Sequence, residues 1–125
     1  SRILNLHVGL SQYYRGSFCN FWPIHDLKPQ LLGATVHFVS KGIDDGNIIV
    51  QDTINLDKND SVHTLITKPI ILGTKLMIET IKNPDSKLTL NAKLKSKGKL
   101  FQIKDFNPKA ILKVKNFSSS GELKK

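Results

Sequence analysis

The eight residues LGATVHFV, at positions 32–39, carry the clearest secondary-structure signal in the chain. Ala34, Val36 and Phe38 alternate with a second set that is also fairly apolar, so both faces of an extended segment are hydrophobic. This pattern predicts a strand that is buried on both sides. Such a strand needs other strands at its edges and helices over its faces, which favours the α/β class.

The segments around this strand predict the other elements. Alternation and glycine content predict further strands at 2–6 and 48–56, and loops at 8–16 and 40–46. Ser17 is a predicted N-cap for a short aromatic-rich helix. A long helix should follow the capping signal at residues 59–61 and end at Lys82, with a bend or break at Pro69 and Gly73.

Length and composition narrow the possible classes of protein. The chain has 125 residues, which suits one domain and leaves little room for a second. No run of about 18 apolar residues is present to form a transmembrane helix, and the N-terminus lacks the apolar stretch of a signal peptide. Cys19 is the one cysteine, so the sequence predicts no internal disulfide, no structural zinc and a cytoplasmic location.

Positive charge is concentrated in the last third of the chain. The formal net charge is +9, of which residues 1–82 contribute +1 and residues 83–125 contribute +8. We therefore predict two parts, a nearly neutral unit at 1–82 and a basic tail at 83–125 with possible β structure at 88–90 and 93–95. Two interpretations of the tail stay open, a nucleic-acid-binding surface and a solvated surface that is simply rich in lysine.

Three polar residues are expected where strands meet loops. Asn5 and His7 are two positions apart on a predicted strand, so their side chains project to the same side. Asp44 lies in the loop after the buried strand, and such loops form the usual ligand crevice of open α/β sheets. A lone histidine at a strand end is more often structural, so spacing alone leaves both interpretations open.

Four short motifs occur in one order, NLHVGL at 5–10, YRG at 14–16, GATVHF at 33–38 and IDDGNII at 43–49. Over residues 3 to about 80 the chain thereby resembles the catalytic domain of the formyltransferases that act on glycinamide ribonucleotide, methionyl-tRNA and sugar nucleotides. The family pattern is Asn-x-His-Pro-Ser-Leu-Leu-Pro, Arg-Gly, Gly-x-Thr-x-His and Asp-x-Gly-x-Ile. The chain departs from it with Val8-Gly9 and Ser11-Gln12 after the histidine.

The resemblance implies a reaction and roles for these residues. Asn5, His7 and Asp44 are then the catalytic residues of formyl transfer from 10-formyltetrahydrofolate to an amine, through a tetrahedral intermediate. Asn5 and His7 would stabilise its negative oxygen, and Asp44 would assist proton transfer. The spacing Asp-x-Gly selects Asp44 over Asp45, which we expect to be solvated.

The resemblance also implies a binding loop and an architecture. The pteridine ring of the folate should contact the backbone of five residues that bind the cofactor, Val39, Ser40, Lys41, Gly42 and Ile43; no metal is expected. In the family the histidine lies in mid-domain, so residues 1–82 would be the second half of a Rossmann-like domain with a mostly parallel sheet and flanking helices. We expect this piece alone to be inactive.

The acceptor and the partners are open on sequence grounds. The aromatic-rich stretches at 18–22 and 98–106 favour an amino sugar, linked to a nucleotide, as the acceptor amine. tRNA is the second candidate, and a non-enzymatic nucleic-acid-binding module that uses the tail is the third. No membrane partner is expected, and an oligomer is possible.

Other candidate residues carry two interpretations each. His37 is either a packed core histidine or a ligand contact, and Tyr14 with Arg15 either clamps an anion or stabilises a loop. His25 and His63 are expected to be structural or exposed. The aromatic residues Phe18, Phe21 and Trp22 are expected to lie in the core.

Overall fold

The computed structural model describes residues 3–89 and 91–120, with side chains up to residue 117, and within them it has an α/β architecture. The strands are β1 (Leu4–His7), β2 (Tyr14–Gly16), β3 (Gly33–Phe38), β4 (Ile48–Thr53) and β5 (Lys99–Phe101). The helices are α1 (Trp22–His25), α2 (Val62–Lys82), α3 (Pro84–Thr89) and α4 (Pro108–Ser120). None of the helices in this part of the chain is both long and apolar enough to cross a membrane.

The central sheet has the order β1-β3-β4, and both of its strand pairs are antiparallel. The expected α/β class is confirmed, but the expectation of a mostly parallel sheet is wrong for these strands. β3 and β4 are joined by the loop at residues 39–47, which is too short for the crossover of a dozen or more residues that parallel neighbours need. Within the described residues, the parallel pair is β2–β5, in a separate two-stranded sheet.

Helix α2 covers one face of the central sheet. Its start is set by a reciprocal capping box in which Ser61 and Thr64 accept from each other's backbone amides. The predicted end at Lys82 is confirmed, whereas the predicted break is wrong because the helix is continuous through Pro69 and Gly73. Both residues face the core, and a Cβ at Gly73 would lie 2.8 Å from Leu6 Cδ1, so burial against the sheet outweighs their low helix propensity.

Helix α1 is shorter than expected and starts later. Ser17 is not its N-cap, because the Ser17 amide donates to Phe101 O at 2.9 Å and its carbonyl accepts from Trp22 Nε1 at 3.0 Å. Phe18 has a φ of 59°, which is outside the helical region and delays the helix. Pro23 lies in the first turn, where its missing amide costs nothing.

The basic tail is more helical than its sequence suggests. Residues 84–89 form α3 rather than a strand, and residues 93–95 have no regular structure, so the predicted strand pieces are wrong; Leu90 lies outside the described residues. The β structure expected in the tail is present as β5, which begins at Lys99, and as an isolated β-bridge between Ala92 and Ile48. Phe101, Ala110 and Val114 join the core of the preceding segment. The division at residue 82 stays a prediction.

Candidate active site

Strand pairing brings Asn5 and His37 to the same point of the sheet. Asn5 lies directly opposite His37 in the β1–β3 register, so the two side chains share one face. Asn5 Nδ2 lies 3.4 Å from His37 Nε2 and also donates to Asp44 Oδ1 at 3.4 Å. The carboxylate of Asp44 in turn lies 3.6 Å from His37 Nε2, measured from Oδ1. One amide, one imidazole and one carboxylate therefore meet at a single site.

His7 lies two residues further along β1 and faces the same carboxylate. Its Nδ1 is 3.4 Å from Asp44 Oδ2, and its Nε2 is 2.7 Å from the carbonyl oxygen of Tyr14. A carbonyl only accepts hydrogen bonds, so Nε2 carries a proton. The His7 side chain is 4% exposed, which makes it the innermost of the three predicted catalytic residues.

Asp44 connects these groups because of its backbone conformation. With a φ of 51°, it occupies the left-handed region that aspartate tolerates better than most residues. Its Oδ2 accepts from the Gly16 amide at 2.9 Å, so β2 also anchors it. The Asp44 side chain is 12% exposed, which leaves one edge open to a ligand.

The protonation equilibria of the three ionisable groups are coupled. Burial lowers the pKa of His7, and this outweighs the opposing effects of the Asp44 carboxylate and the Tyr14 carbonyl. Burial would also lower the pKa of His37, but its contacts with Asp44 and the Phe38 carbonyl raise it above the ordinary value. Burial alone would raise the pKa of Asp44, whereas contacts with both histidines and the Gly16 amide lower it. Asp44 is thus ionised and His7 is a neutral base with Nδ1 towards it.

The loop predicted to contact folate is exposed and internally braced. Val39 is 40% and Ile43 is 54% exposed, so the loop presents itself to ligands beside Asp44. Asp45 is not solvated as expected, since it accepts a hydrogen bond from the Ser40 hydroxyl and pairs with Lys97 Nζ at 3.0 Å. Its side chain is 10% exposed and holds the loop in shape.

The backbone of this loop leaves groups available for a ligand. Val39 N donates to Ile3 O, and the Ile43 carbonyl accepts from Arg15 at 3.2 Å. By contrast, the peptide N–H and C=O of Lys41 have no hydrogen-bond partner in the described part of the chain. These exposed, unpaired peptide groups beside Asp44 are free to hydrogen-bond a polar ligand.

The departure from the family pattern after His7 has a structural counterpart. Gln12 and Gln51 form a reciprocal amide pair at 2.8 and 2.7 Å, and Gln51 also donates to Thr35 Oγ1 at 2.8 Å. Thr35 Oγ1 donates to Gly9 O at 2.7 Å. This network ties the divergent loop that follows His7 to β3 and β4.

The two-way interpretations are resolved by position. His37 is buried but contacts both Asn5 and Asp44, so it belongs to the site rather than only to the core. Arg15 donates to Gly98 O at 2.7 Å as well as to Ile43 O, which is the loop-stabilising interpretation. The other histidines lie away from the site. His25 pairs with Asp26 at 2.9 Å, and His63 is exposed on α2.

Two of the three aromatic residues that were expected in the core lie there. Phe21 and Trp22 are core residues as predicted, whereas Phe18 is 43% exposed and stacks on Phe106 with ring centroids 4.4 Å apart. In the described residues, no group of three His, Cys, Asp or Glu side chains is arranged to hold a metal ion. The one participant that sequence reasoning undervalued is His37, and the missing signal was the antiparallel register that places it opposite Asn5.

Comparison with known proteins agrees with this geometry. The sequence profile of the family described as formyl transferase matches residues 1–81. A methionyl-tRNA formyltransferase from Caldicellulosiruptor saccharolyticus is 39% identical over 80 residues, which are 64% of this chain and 25% of that protein. The chain therefore spans about a quarter of the length of the curated relatives it matches.

Two solved structures are similar in fold. One is the N-formyltransferase from Helicobacter canadensis in complex with folinic acid and dTDP-3-aminofucose, with a TM-score of 0.72 and 27% sequence identity. The match covers 84% of this chain and 39% of the Helicobacter chain. PseJ from Anoxybacillus kamchatkensis, in complex with tetrahydrofolate and a UDP-linked formamido sugar, has a TM-score of 0.66 and 28% identity, with 82% of this chain and 53% of its own covered. With most of its length matched by the family profile and by this fold, the chain belongs to the formyl transferase family.

Proposed function

We propose that Asn5, His7 and Asp44 form the catalytic centre of an N-formyltransferase that moves a formyl group from 10-formyltetrahydrofolate to an amine. The observation that carries this proposal is the ionised Asp44 carboxylate, which lies within 3.4 Å of both Asn5 Nδ2 and His7 Nδ1. When bound, the folate supplies the activated formyl carbon. Residues 39–43 would hold its pteridine ring through their backbone.

The proton pathway follows from the protonation states. The attacking amine must lose a proton, and Asp44 is the ionised base at the open edge of the site. Neutral His7 presents Nδ1 to Asp44 Oδ2, so a proton that arrives on Asp44 has an acceptor behind it. The His7 ring then becomes charged, and this proton would return to the folate nitrogen when the bond between that nitrogen and the formyl carbon breaks. The positive charge of the ring stabilises the oxygen that turns negative, without any N–H being withdrawn from the Tyr14 carbonyl.

Asn5 is the direct hydrogen-bond donor of the centre. Asn5 is exposed, whereas His7 directs its one N–H to the Tyr14 carbonyl. The Asn5 amide is therefore the group that reaches a substrate oxygen. Removing one such donor lowers a rate by about 10²–10³. His37 acts as a positioning residue that holds Asn5 and Asp44 in place.

The acceptor is proposed to be an amino sugar linked to a nucleotide. Support comes from the two structural relatives whose ligands are sugar nucleotides. tRNA is the second candidate, supported by the methionyl-tRNA formyltransferases among the relatives and by the +8 charge of residues 83–125. The chain on its own is proposed to be inactive, and the cytoplasmic location stays a prediction.

Folate binding tests the proposed site without requiring turnover. Folinic acid titrated into the ¹⁵N-labelled chain should shift the amide signals of residues 39–43 and the side-chain amide of Asn5. Asp44→Asn should weaken this binding or change its pH dependence, whereas Lys58→Glu, an exposed change in the loop between β4 and α2, should not. Absence of saturable shifts at these residues would contradict the proposal, and formyl transfer by the isolated chain would contradict the proposed inactivity.

A further inference from the structure

The backbone of Asp44 adopts an unfavourable conformation within an exposed loop. Its φ of 51° lies in the left-handed region, which costs free energy for any residue with a Cβ. The loop around it is open to solvent, since Val39 is 40% and Ile43 is 54% exposed. Conformations of this kind persist only where the surrounding structure over-determines them. The contacts that hold the peptide units on either side of Asp44 therefore decide where its carboxylate lies.

Both sequence neighbours of this aspartate are held by contacts that lead to the tail. On one side, the Ile43 carbonyl accepts from Arg15 Nη1 at 3.2 Å, and Arg15 Nε donates to Gly98 O at 2.7 Å. On the other side, Lys97 Nζ lies 3.0 Å from Asp45 Oδ2. Two consecutive tail residues thus fasten both flanks of the aspartate.

The turn that carries these two tail residues is itself fixed. The Gly98 amide donates to Ser11 O at 2.9 Å, and the Lys99 amide donates to Tyr13 O at 3.1 Å. A Cβ at position 98 would lie 2.2 Å from the carbonyl carbon of Tyr13, so this close approach requires glycine. Lys97 therefore projects from a braced turn.

The two partners of the ion pair differ in exposure. The Lys97 side chain is 63% exposed, whereas the Asp45 side chain is 10% exposed and also accepts from the Ser40 hydroxyl. An ion pair with an exposed partner contributes little to the free energy of unfolding, so its effect is expected at the neighbouring Asp44. Without the ammonium group, a carboxylate that has lost its counter-charge stands next to the ionised carboxylate of Asp44, and like charges repel each other.

We propose that Lys97 is a positioning residue of the catalytic centre: by pairing with Asp45, it keeps the carboxylate of Asp44 in contact with the two histidines of the site. The catalytic role of Asp44 rests on the proposed function, whereas the contacts that hold it do not. Position 97 lies outside the segment 1–81 that matches the family profile. The tail thus completes a centre whose other groups lie within that segment.

The pKa of His37 in the full chain tests this role, because the sign of its change separates two explanations. Contact with Asp44 raises this pKa. If Lys97 positions Asp44, Lys97→Ala should lower the pKa of His37, as Asp44→Asn does but by less, since Arg15 still holds the other flank. If Lys97 is only a nearby positive charge, its removal should leave this pKa unchanged or raise it. NMR titration of the imidazole signals of the ¹⁵N-labelled chain measures the change.

Matched variants show whether the effect is specific. Lys97→Arg keeps the charge and should keep the titration of His37 in place. Lys95→Ala removes an exposed lysine two positions earlier in the tail and should not lower the pKa of His37. In an Asp45→Ala background, Lys97→Ala should no longer lower it, because the effect runs through Asp45. The positioning role is overturned if the pKa stays or rises in Lys97→Ala, falls as far in Lys95→Ala, or still falls in the Asp45→Ala background.

The histidine titration needs no folate, so it separates the positioning role from the proposed function. If folinic acid shifts residues 39–43 while Lys97→Ala leaves the pKa of His37 in place, the positioning role is refuted and the proposed function survives. If Lys97→Ala lowers this pKa but folinic acid produces no shifts, Lys97 does position Asp44 and the proposed function fails.

Discussion

Replacing Gly16 by alanine should detach the tail from the site. Gly16 has a φ of 93°, and an added Cβ would lie 2.2 Å from the backbone oxygen of Phe101 in β5. The left-handed conformation costs about 1–2 kcal/mol for a residue with a Cβ, and forced overpacking costs about 1–3 kcal/mol more. We therefore expect a loss of about 2–5 kcal/mol in the free energy of unfolding, a large share of the roughly 5–15 kcal/mol of a typical domain.

Urea unfolding followed by tryptophan fluorescence measures this loss at the right place. Trp22 is the one tryptophan, and its ring stacks on Phe101 with centroids 4.5 Å apart, so its emission reports the docking of β5. Gly73→Ala is the matched control. Its added Cβ would meet side-chain atoms of Leu6 and Ala34 rather than backbone, and the substitution of glycine by alanine in a helix gains about 1 kcal/mol of helix propensity. If Gly16→Ala destabilises the chain no more than Gly73→Ala does, the reasoning is refuted.

Three further predictions concern ionisation and the loop. The pKa of His37 is raised in the folded state, so its ionisation stabilises the fold below the ordinary pKa of 6.5, and this stabilisation is lost as the pH rises through the pKa of the folded state. The urea midpoint of the chain should therefore decline above pH 6.5, and His37→Gln should abolish this decline. An unchanged decline would disprove the link to Asp44. Burial raises the pKa of the Cys19 thiol to about 12, so at pH 8 its reaction with a disulfide reagent should be about a thousandfold slower than in urea; a similar rate in both states would show an accessible thiol. Asp45→Ala should cost about 1 kcal/mol of stability by loosening the loop, and it should lower the pKa of His37 slightly because the Asp45 carboxylate helps to raise it; a shift as large as that in Asp44→Asn would mean that Asp45 belongs to the charged centre.

Local patterns predicted the elements whose stability is local. The apolar alternation at 33–38 corresponds to β3, and the capping signal at 59–61 corresponds to the start of α2 at Val62. The prediction of a break in α2 was wrong because it rested on the low helix propensity of Pro69 and Gly73. The packing of Gly73 on the sheet is the larger effect. The tail was mispredicted for a related reason. Its short apolar runs satisfy strand and helix patterns alike, and contacts with the core decide between them.

The site divides in the same way. Asn5 and His7 could be placed on one face from their spacing of two, and the order of four motifs singled out Asp44. The antiparallel direction of β3 and β4 could have been inferred from the short loop between them. The pairing of β1 with β3, which places His37 opposite Asn5, and the bracing role of Asp45 could not be foreseen. Each depends on a partner 5 to 52 positions away in sequence, as in the contacts of Asp45 with Ser40 and Lys97.

By itself, the sequence determined the family, the buried strand, the long helix and the identity of the polar residues at the strand ends. Only the tertiary structure decided that β1 pairs antiparallel with β3, that Asp44 meets two histidines, and that residues 100–104 of the tail stand beside it. The physical reason is that side-chain identity and local periodicity are written in neighbouring residues. Strand register, burial and shifted pKa values arise only when distant segments exclude water from one another.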